Sequence, residues 1–106
     1  MSEVVRWETE DQIGVITLNR PERLNALDRE ALEALQEILD SRAASGDVRA
    51  VIITGSGDRA FAAGADLASM KDMDRGEAEE WSLLGQRVFS SIEDLPRPVI
   101  AAINGF

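Results

Sequence analysis

The chain has 106 residues, 44% of them hydrophobic and 29% charged, which suits one small folded domain and leaves no length for a second. It contains neither cysteine nor histidine, so disulfides, Cys-ligated zinc, a thiol nucleophile and the usual imidazole base are all excluded. Twenty acidic against eleven basic residues give a formal charge of −9, which repels polyanions and argues against a nucleic-acid partner. Lys71 is the single lysine, so anion contacts fall to arginine, the better bidentate phosphate binder.

In chain order, Val4 to Glu8 alternates around Trp7 and Ile13 to Leu18 is rich in β-branched residues, with the polar turn Glu10-Asp11-Gln12 between them. This predicts a β-hairpin. Pro21 ends the second strand, and Asp28 stands as N-cap to a helix over Arg29 to Ala44, with Gly46 past its end. Ala31, Leu32, Leu35, Ile38 and Leu39 share one helical stripe, which should pack on a sheet. Ala50 to Thr54 is a continuous apolar run, the pattern of a strand covered on both faces. A short helix is expected from Asp66 to Met70, broken by Asp74-Arg75-Gly76, and a longer one from Glu77 to Ile92 with the stripe Trp81, Leu84, Val88, Phe89 and Ile92. Leu95-Pro-Arg-Pro98 is a rigid bend, and Val99 to Ile103 reads as another buried strand. This order builds a mostly parallel α/β sheet. The last strand is then expected inside a sheet whose remaining members lie outside these residues, leaving apolar surface exposed.

No apolar run approaches the roughly 20 residues that span a bilayer. The opening Met-Ser-Glu-Val-Val also lacks a basic-then-apolar leader pattern, so a cytoplasmic protein with no membrane contact is expected.

The segment Gly55 to Asp66, Gly-Ser-Gly-Asp-Arg-Ala-Phe-Ala-Ala-Gly-Ala-Asp, is too rich in alanine for a solvated connection, so something should bury it. Gly64 can adopt positive φ, and Ala63 and Ala65 carry no side chain that would screen their own amides. Ala65 precedes the expected helix start at Asp66, where free N–H groups and the helix dipole favour negative charge. Its N–H could therefore stabilise an oxyanion, and the competing reading is a tightly packed crossover. Gly55-Ser-Gly57-Asp-Arg-Ala60 also fits the dinucleotide fingerprint G-x-G-x-x-A, but a further glycine and an apolar stretch separate it from any helical period. A Walker A loop is excluded because no Gly-Lys-Ser/Thr follows.

Three segments in order, Leu18-Asn-Arg-Pro-Glu-Arg-Leu-Asn-Ala-Leu27, Ala60-Phe-Ala-Ala-Gly-Ala-Asp-Leu67 and Pro96-Arg-Pro-Val-Ile-Ala-Ala-Ile-Asn-Gly-Phe106, resemble successive blocks of the enoyl-CoA hydratase/isomerase (crotonase) family. The resemblance implies a crotonase-like fold of β-β-α repeats. It further implies that residues 1–106 are the N-terminal part of one such domain, ending before the segment that supplies a second oxyanion-hole amide. By the same resemblance Ala65 supplies the first oxyanion N–H toward an acyl-CoA thioester. Arg23, Leu24 and Ala26 would lie along the CoA phosphates and adenine, Arg59 near a phosphate, and Ala63, Gly64, Asp66 and Leu67 on the opposite side. For Arg23 and Arg59 the competing reading is a solvated surface arginine. Coenzyme A would be part of the substrate, with no other cofactor and no metal, and the complete protein would form a homotrimer or a hexamer made of two trimers.

Departures bear on the reaction. The position three after Ala65, lysine in several relatives, is Ala68 here. The acid and base glutamates of true hydratases would lie beyond Phe106, and Glu77, Glu79, Glu80, Glu93 and Asp94 do not replace them, since the first three cover a solvated helix face. Trp7, Trp81, Phe61 and Phe89 are expected as core or assembly contacts. The activity implied is β-oxidation-type hydration of a trans-2-enoyl-CoA by the whole protein, with this segment inactive alone. An isomerase of the same family and a noncatalytic acyl-CoA-binding module are the alternatives.

Overall fold

The computed structural model describes residues 3–106; Met1 and Ser2, on which part of the leader expectation falls, lie outside the described residues. The hairpin forms from β1 (Val5–Glu10) and β2 (Ile13–Leu18), paired antiparallel from Val5 opposite Leu18 to Glu10 opposite Ile13. β1 runs two residues further than its alternation indicated, because the turn needs only Asp11 and Gln12, at φ 51° and 67°. Two successive positive φ values give the turn the twist of a tight hairpin. β3 (Ala50–Gly55) then adds parallel to β2, and β4 (Val99–Ala102) parallel to β3, giving the order β1-β2-β3-β4.

α1 (Arg29–Ser41) begins where the sequence indicates, with the Asp28 carboxylate accepting from the Ala31 N–H at 2.9 Å. It stops three residues before Ala44, where the Arg42 and Ala43 N–H groups both turn back to the Ile38 carbonyl and end the regular ladder. Its Ala31, Leu32, Leu35 and Leu39 are buried, each leucine contributing roughly 1.5–3 kcal/mol, while Ile38 is only half-buried. α2 is a single turn (Leu67–Met70) with Asp66 as its N-cap. α3 spans Arg75–Glu93, so Asp74-Arg75-Gly76 starts this helix where the sequence suggested a break. The reason is a capping box: Asp74 accepts from the Glu77 N–H at 2.8 Å and Glu77 accepts from the Asp74 N–H at 3.3 Å.

Both long helices lie on one face of the sheet. Gly14, Ile16 and Leu18 of β2 stand opposite Val51, Ile53 and Gly55 of β3 in the register, and all six are buried with Leu84 and Val88 of α3. Gly14 is required here, since a Cβ would come within 2.1 Å of the Trp7 indole lying across it. Trp7, Trp81 and Phe61 pack half-buried against this core. Phe89 does not; it is 54% exposed.

The opposite face corrects two expectations. In β3 only Val51 and Ile53 of the apolar run are buried, and Ala50, Ile52 and Thr54 are half-covered, so the strand is not enclosed on both sides. In β4 Val99 is half-buried but Ile100 is 55% exposed, and Ile103 just beyond is 70% exposed. Among the described residues β4 is an edge strand and no layer covers its outer face, which is the apolar exposure expected for the last strand. The Arg97 guanidinium fixes the approach to β4 by donating to the Ser45 and Val48 carbonyls.

Candidate functional site

Two loops, residues 19–28 after β2 and 56–66 after β3, leave the same end of neighbouring parallel strands. A 3-10 turn over Pro21–Arg23 is followed by Leu24 and Asn25 at φ 55° and 56°, a reversal that turns the Asn25 side chain inward. Asn25 is 2% exposed and uses both ends of its amide: its Oδ1 accepts from the Arg20 N–H at 2.8 Å, and its Nδ2 donates to the Ser56 and Ala60 carbonyls at 3.1 and 2.9 Å. Asn104 reaches the same Ala60 carbonyl from the other side at 3.1 Å. Gly55 is the residue beneath this crossing, where a Cβ would meet the Phe61 and Ala60 carbonyl oxygens at 2.6 and 2.7 Å.

The loops then run alongside each other. The Ala63 N–H donates to the Leu24 carbonyl at 3.1 Å, Leu27 donates to the Gly64 carbonyl at 2.8 Å, and Asp66 donates to the Leu27 carbonyl at 2.9 Å. The last two bonds form a parallel bridge between Leu27 and Ala65. In such a bridge the central residue of the accepting strand turns its own N–H and C=O to the far side. The Ala65 N–H is therefore directed away from Leu27, and among the described residues neither it nor the Gly64 N–H donates a hydrogen bond. Gly64 sits at φ 96°, and a Cβ built there would meet nothing within 4 Å, so glycine is required by backbone conformation and leaves open space beside the two free donors.

Asp66 locks this arrangement. It is 4% exposed, receives Arg23 at 2.9 Å and Arg20 at 3.2 Å, and caps α2 through the Ser69 N–H at 3.4 Å. Burial opposes its ionisation, yet the Arg20 hydrogen bond, the Ser69 N–H and the Arg23 charge outweigh that and hold the carboxyl below its ordinary value of 3.8. Arg20 also donates to the Ala26 carbonyl at 2.9 Å and pairs with Asp28 at 3.3 Å, joining the loop to the start of α1. The helix-dipole expectation is corrected accordingly. α2 is one turn long with its N-terminus already occupied by Asp66, so the free Ala65 N–H owes its availability to the bridge geometry.

Gly64 and Ala65 form part of the wall of an apolar cleft of about 300 Å³ that also contains Leu27, Leu32, Trp81 and Phe89. A second, wholly apolar hollow of about 340 Å³ lies on the other side of Gly64, Leu27 and Phe89, against Phe61 and Ile53. A larger groove, about 580 Å³, follows the outer faces of α1 and α3 among Arg29, Glu33, Glu80 and Arg87 and contains none of the sequence-predicted site residues.

Of those residues, Arg23, Leu24, Ala26, Ala63, Gly64, Ala65 and Asp66 are brought together along the paired loops. Leu67 follows at 75% exposure. Arg59 stands apart, exposed beside a small hollow with Pro21 and Gly57. The alanine segment is only partly covered: Ala60 is buried, Phe61 and Ala62 are half-buried, and Ala63 is exposed. No helix opens at Ser56 to Ala60, as the dinucleotide fingerprint would require; the next helix begins at Leu67. Arg20, Asn25 and Asn104, which hold the loops in place, carried no local signal that set them apart, since their partners lie far along the chain.

The comparisons with known proteins bear on the family and the fold. The enoyl-CoA hydratase/isomerase family model matches residues 8–106. The chain belongs to the enoyl-CoA hydratase/isomerase family. It is 42% identical over 99 residues to the short-chain-enoyl-CoA hydratase of Clostridium acetobutylicum and 47% identical over 102 residues to the crotonyl-CoA hydratase of Syntrophomonas wolfei. Each alignment covers 93% of this chain and 38% of that relative. Among solved structures, the enoyl-CoA hydratase of Bacillus anthracis superposes with a TM-score of 0.93 at 36% identity, over 97% of this chain and 40% of that one. The chain thus has the crotonase fold and spans about two fifths of the length of the relatives it matches.

Proposed function

We propose that this family member acts on acyl-CoA thioesters as an enoyl-CoA hydratase, with residues 1–106 forming the N-terminal part of the catalytic domain and Ala65 supplying an oxyanion donor. The observation that carries this reading is the free Ala65 N–H, turned away from its bridge partner at the wall of an apolar cleft. Hydration adds the hydroxyl of water to C3 of a trans-2-enoyl thioester and a proton to C2, and the electron pair displaced from the double bond collects on the thioester oxygen as an enolate. A preorganised amide aimed at that oxygen stabilises the enolate more than the neutral carbonyl, which is how it lowers the barrier. The hydrocarbon part of the acyl group lies along Leu27, Leu32 and Phe89. The CoA part follows the paired loops past Arg23, Leu24 and Ala26, and the complete protein assembles as a homotrimer or a pair of trimers.

The cleft wall contains no carboxylate. The acid and base therefore come from the remainder of the domain, and this chain alone does not turn substrate over. The same feature favours one competing reading, a noncatalytic acyl-CoA-binding module, and the two separate on whether the complete domain consumes the conjugated enoyl-CoA absorbance. In that domain Ala65→Pro removes the donor and lowers turnover about 10²- to 10³-fold with CoA affinity nearly unchanged, whereas Ala65→Ser retains the amide and is mild. Unaltered turnover in a folded Ala65→Pro protein removes Ala65 from the site, and an equal loss of CoA affinity points to collapse of the loop at Gly64.

A further inference from the structure

Gly85 lies in the interior of α3 and is buried, a position where glycine is less favourable than alanine because it costs backbone entropy. Elsewhere in the molecule the buried glycines have steric reasons: Cβ atoms at Gly14 and Gly55 would collide with an indole ring and with carbonyl oxygens. Gly85 has none. A Cβ there would touch only Leu32 Cδ1 at 3.9 Å, an ordinary contact, and φ is not in the positive region. Neither helix packing nor backbone conformation asks for glycine at 85.

Its surroundings supply a reason. Trp81 and Phe89 stand one helical turn before and after Gly85 on the same face of α3, and all three form the wall of the cleft that holds Gly64 and Ala65. Between the two rings the missing side chain leaves a gap floored by Leu32. The cleft is about 300 Å³, at the small end of ligand pockets, so one added side chain takes a substantial share of it.

Resting on the reading of this cleft as the acyl site, we propose that Gly85 sets the length of acyl chain it admits: an unbranched chain passes between Trp81 and Phe89 over the bare helix backbone, and any larger residue at 85 shortens the cleft. This makes Gly85 a specificity-determining position, distinct from the oxyanion donors.

Calorimetric titration of the complete domain with free CoA, butanoyl-CoA and octanoyl-CoA tests it. The unaltered protein should bind octanoyl-CoA more tightly than CoA, with a change in Trp81 emission. Gly85→Leu should weaken octanoyl-CoA by about 10- to 100-fold, butanoyl-CoA by less than about threefold, and free CoA not at all. Gly85→Ala guards against misfolding: its Cβ fits, so its melting temperature should rise by a few degrees while octanoyl-CoA still weakens more than butanoyl-CoA. Folded Gly85 variants that bind both thioesters like the unaltered domain overturn the proposal. If the unaltered domain binds octanoyl-CoA no better than CoA, the acyl reading of the cleft fails first, and the two failures are told apart by which protein shows them.

Discussion

The two loops that meet at the Leu27–Ala65 bridge are built from opposite materials. Residues 19–28 present side chains: Arg20, Arg23, Asn25 and Asp28 all act through their polar ends. Residues 60–65 present almost none, only a phenylalanine among alanines and a glycine. The polar loop spends its hydrogen-bonding capacity inside the protein, on the Ser56, Ala60 and Ala26 carbonyls and on Asp66. The bare loop receives that support, and among the described residues its Gly64 and Ala65 N–H groups stay free. A preorganised donor thus needs a neighbour that holds it, and the holding residues need not face the ligand.

The largest break in this division of labour is Asn25→Ala. It leaves the Ser56 carbonyl and the Arg20 N–H without their partner and keeps alanine at φ 56°, so a loss of about 3 kcal/mol is expected. Urea unfolding measures it, and a loss below about 1 kcal/mol would show that the loops do not depend on this crossing. Arg20→Ala comes next at about 2 kcal/mol, since it releases Asp66, Asp28 and the Ala26 carbonyl together but from a partly solvated site.

Asp66→Asn gives a similar or slightly smaller loss, about 1–2 kcal/mol, with a pH dependence that identifies it. The folded carboxyl titrates below its ordinary value of 3.8, so between the two values the unfolded chain binds more protons than the folded one. The stability Asp66 contributes is therefore complete above the ordinary carboxylate range and is lost as pH falls through that range toward the lower folded value. The difference in melting temperature between the unaltered chain and Asp66→Asn should be constant near neutrality and shrink below about pH 4. A difference that stayed constant down to pH 3 would remove the carboxylate charge from the explanation.

Legibility in the sequence followed range. Helix α1 was readable because its cap and stripe are local, and the start of α3 was recoverable from the Asp74-x-x-Glu77 spacing, which Arg75 and Gly76 obscured through their resemblance to a breaker. The runs at 50–54 and 99–103 look alike as sequence, yet one is central and the other an edge, since burial depends on what else packs against a strand. Phe89 shows the same limit: it continues the α3 stripe but faces the cleft. Ala65 could be singled out because small residues and glycine mark exposed backbone. Its supports could not, since Asn25 bonds Ala60 across 35 positions and Arg20 meets Asp66 across 46.

The smallest effects separate the two arginines that the family resemblance put near CoA phosphates. Arg23 is 45% exposed and pairs with Asp66 at 2.9 Å, whereas the Arg59 side chain is exposed beside a shallow hollow. A partly solvated pair contributes at most about 1 kcal/mol, so Arg23→Ala should lower stability by less than that, and Arg59→Ala should change it by no more than about 0.5 kcal/mol. Affinity for CoA separates what stability does not. An arginine that meets a phosphate in solvent adds a fewfold to affinity and adds it mainly at low salt, because the contact is screened. Arg23→Ala should therefore weaken CoA about two- to fivefold at low ionic strength and less at high, since its guanidinium already lies on the line of the paired loops. Arg59→Ala should do the same only if a CoA phosphate extends to the hollow beside Pro21. Equal CoA affinity for Arg59→Ala and the unaltered chain at low salt would assign Arg59 to the solvated surface and confine the CoA path to the polar loop.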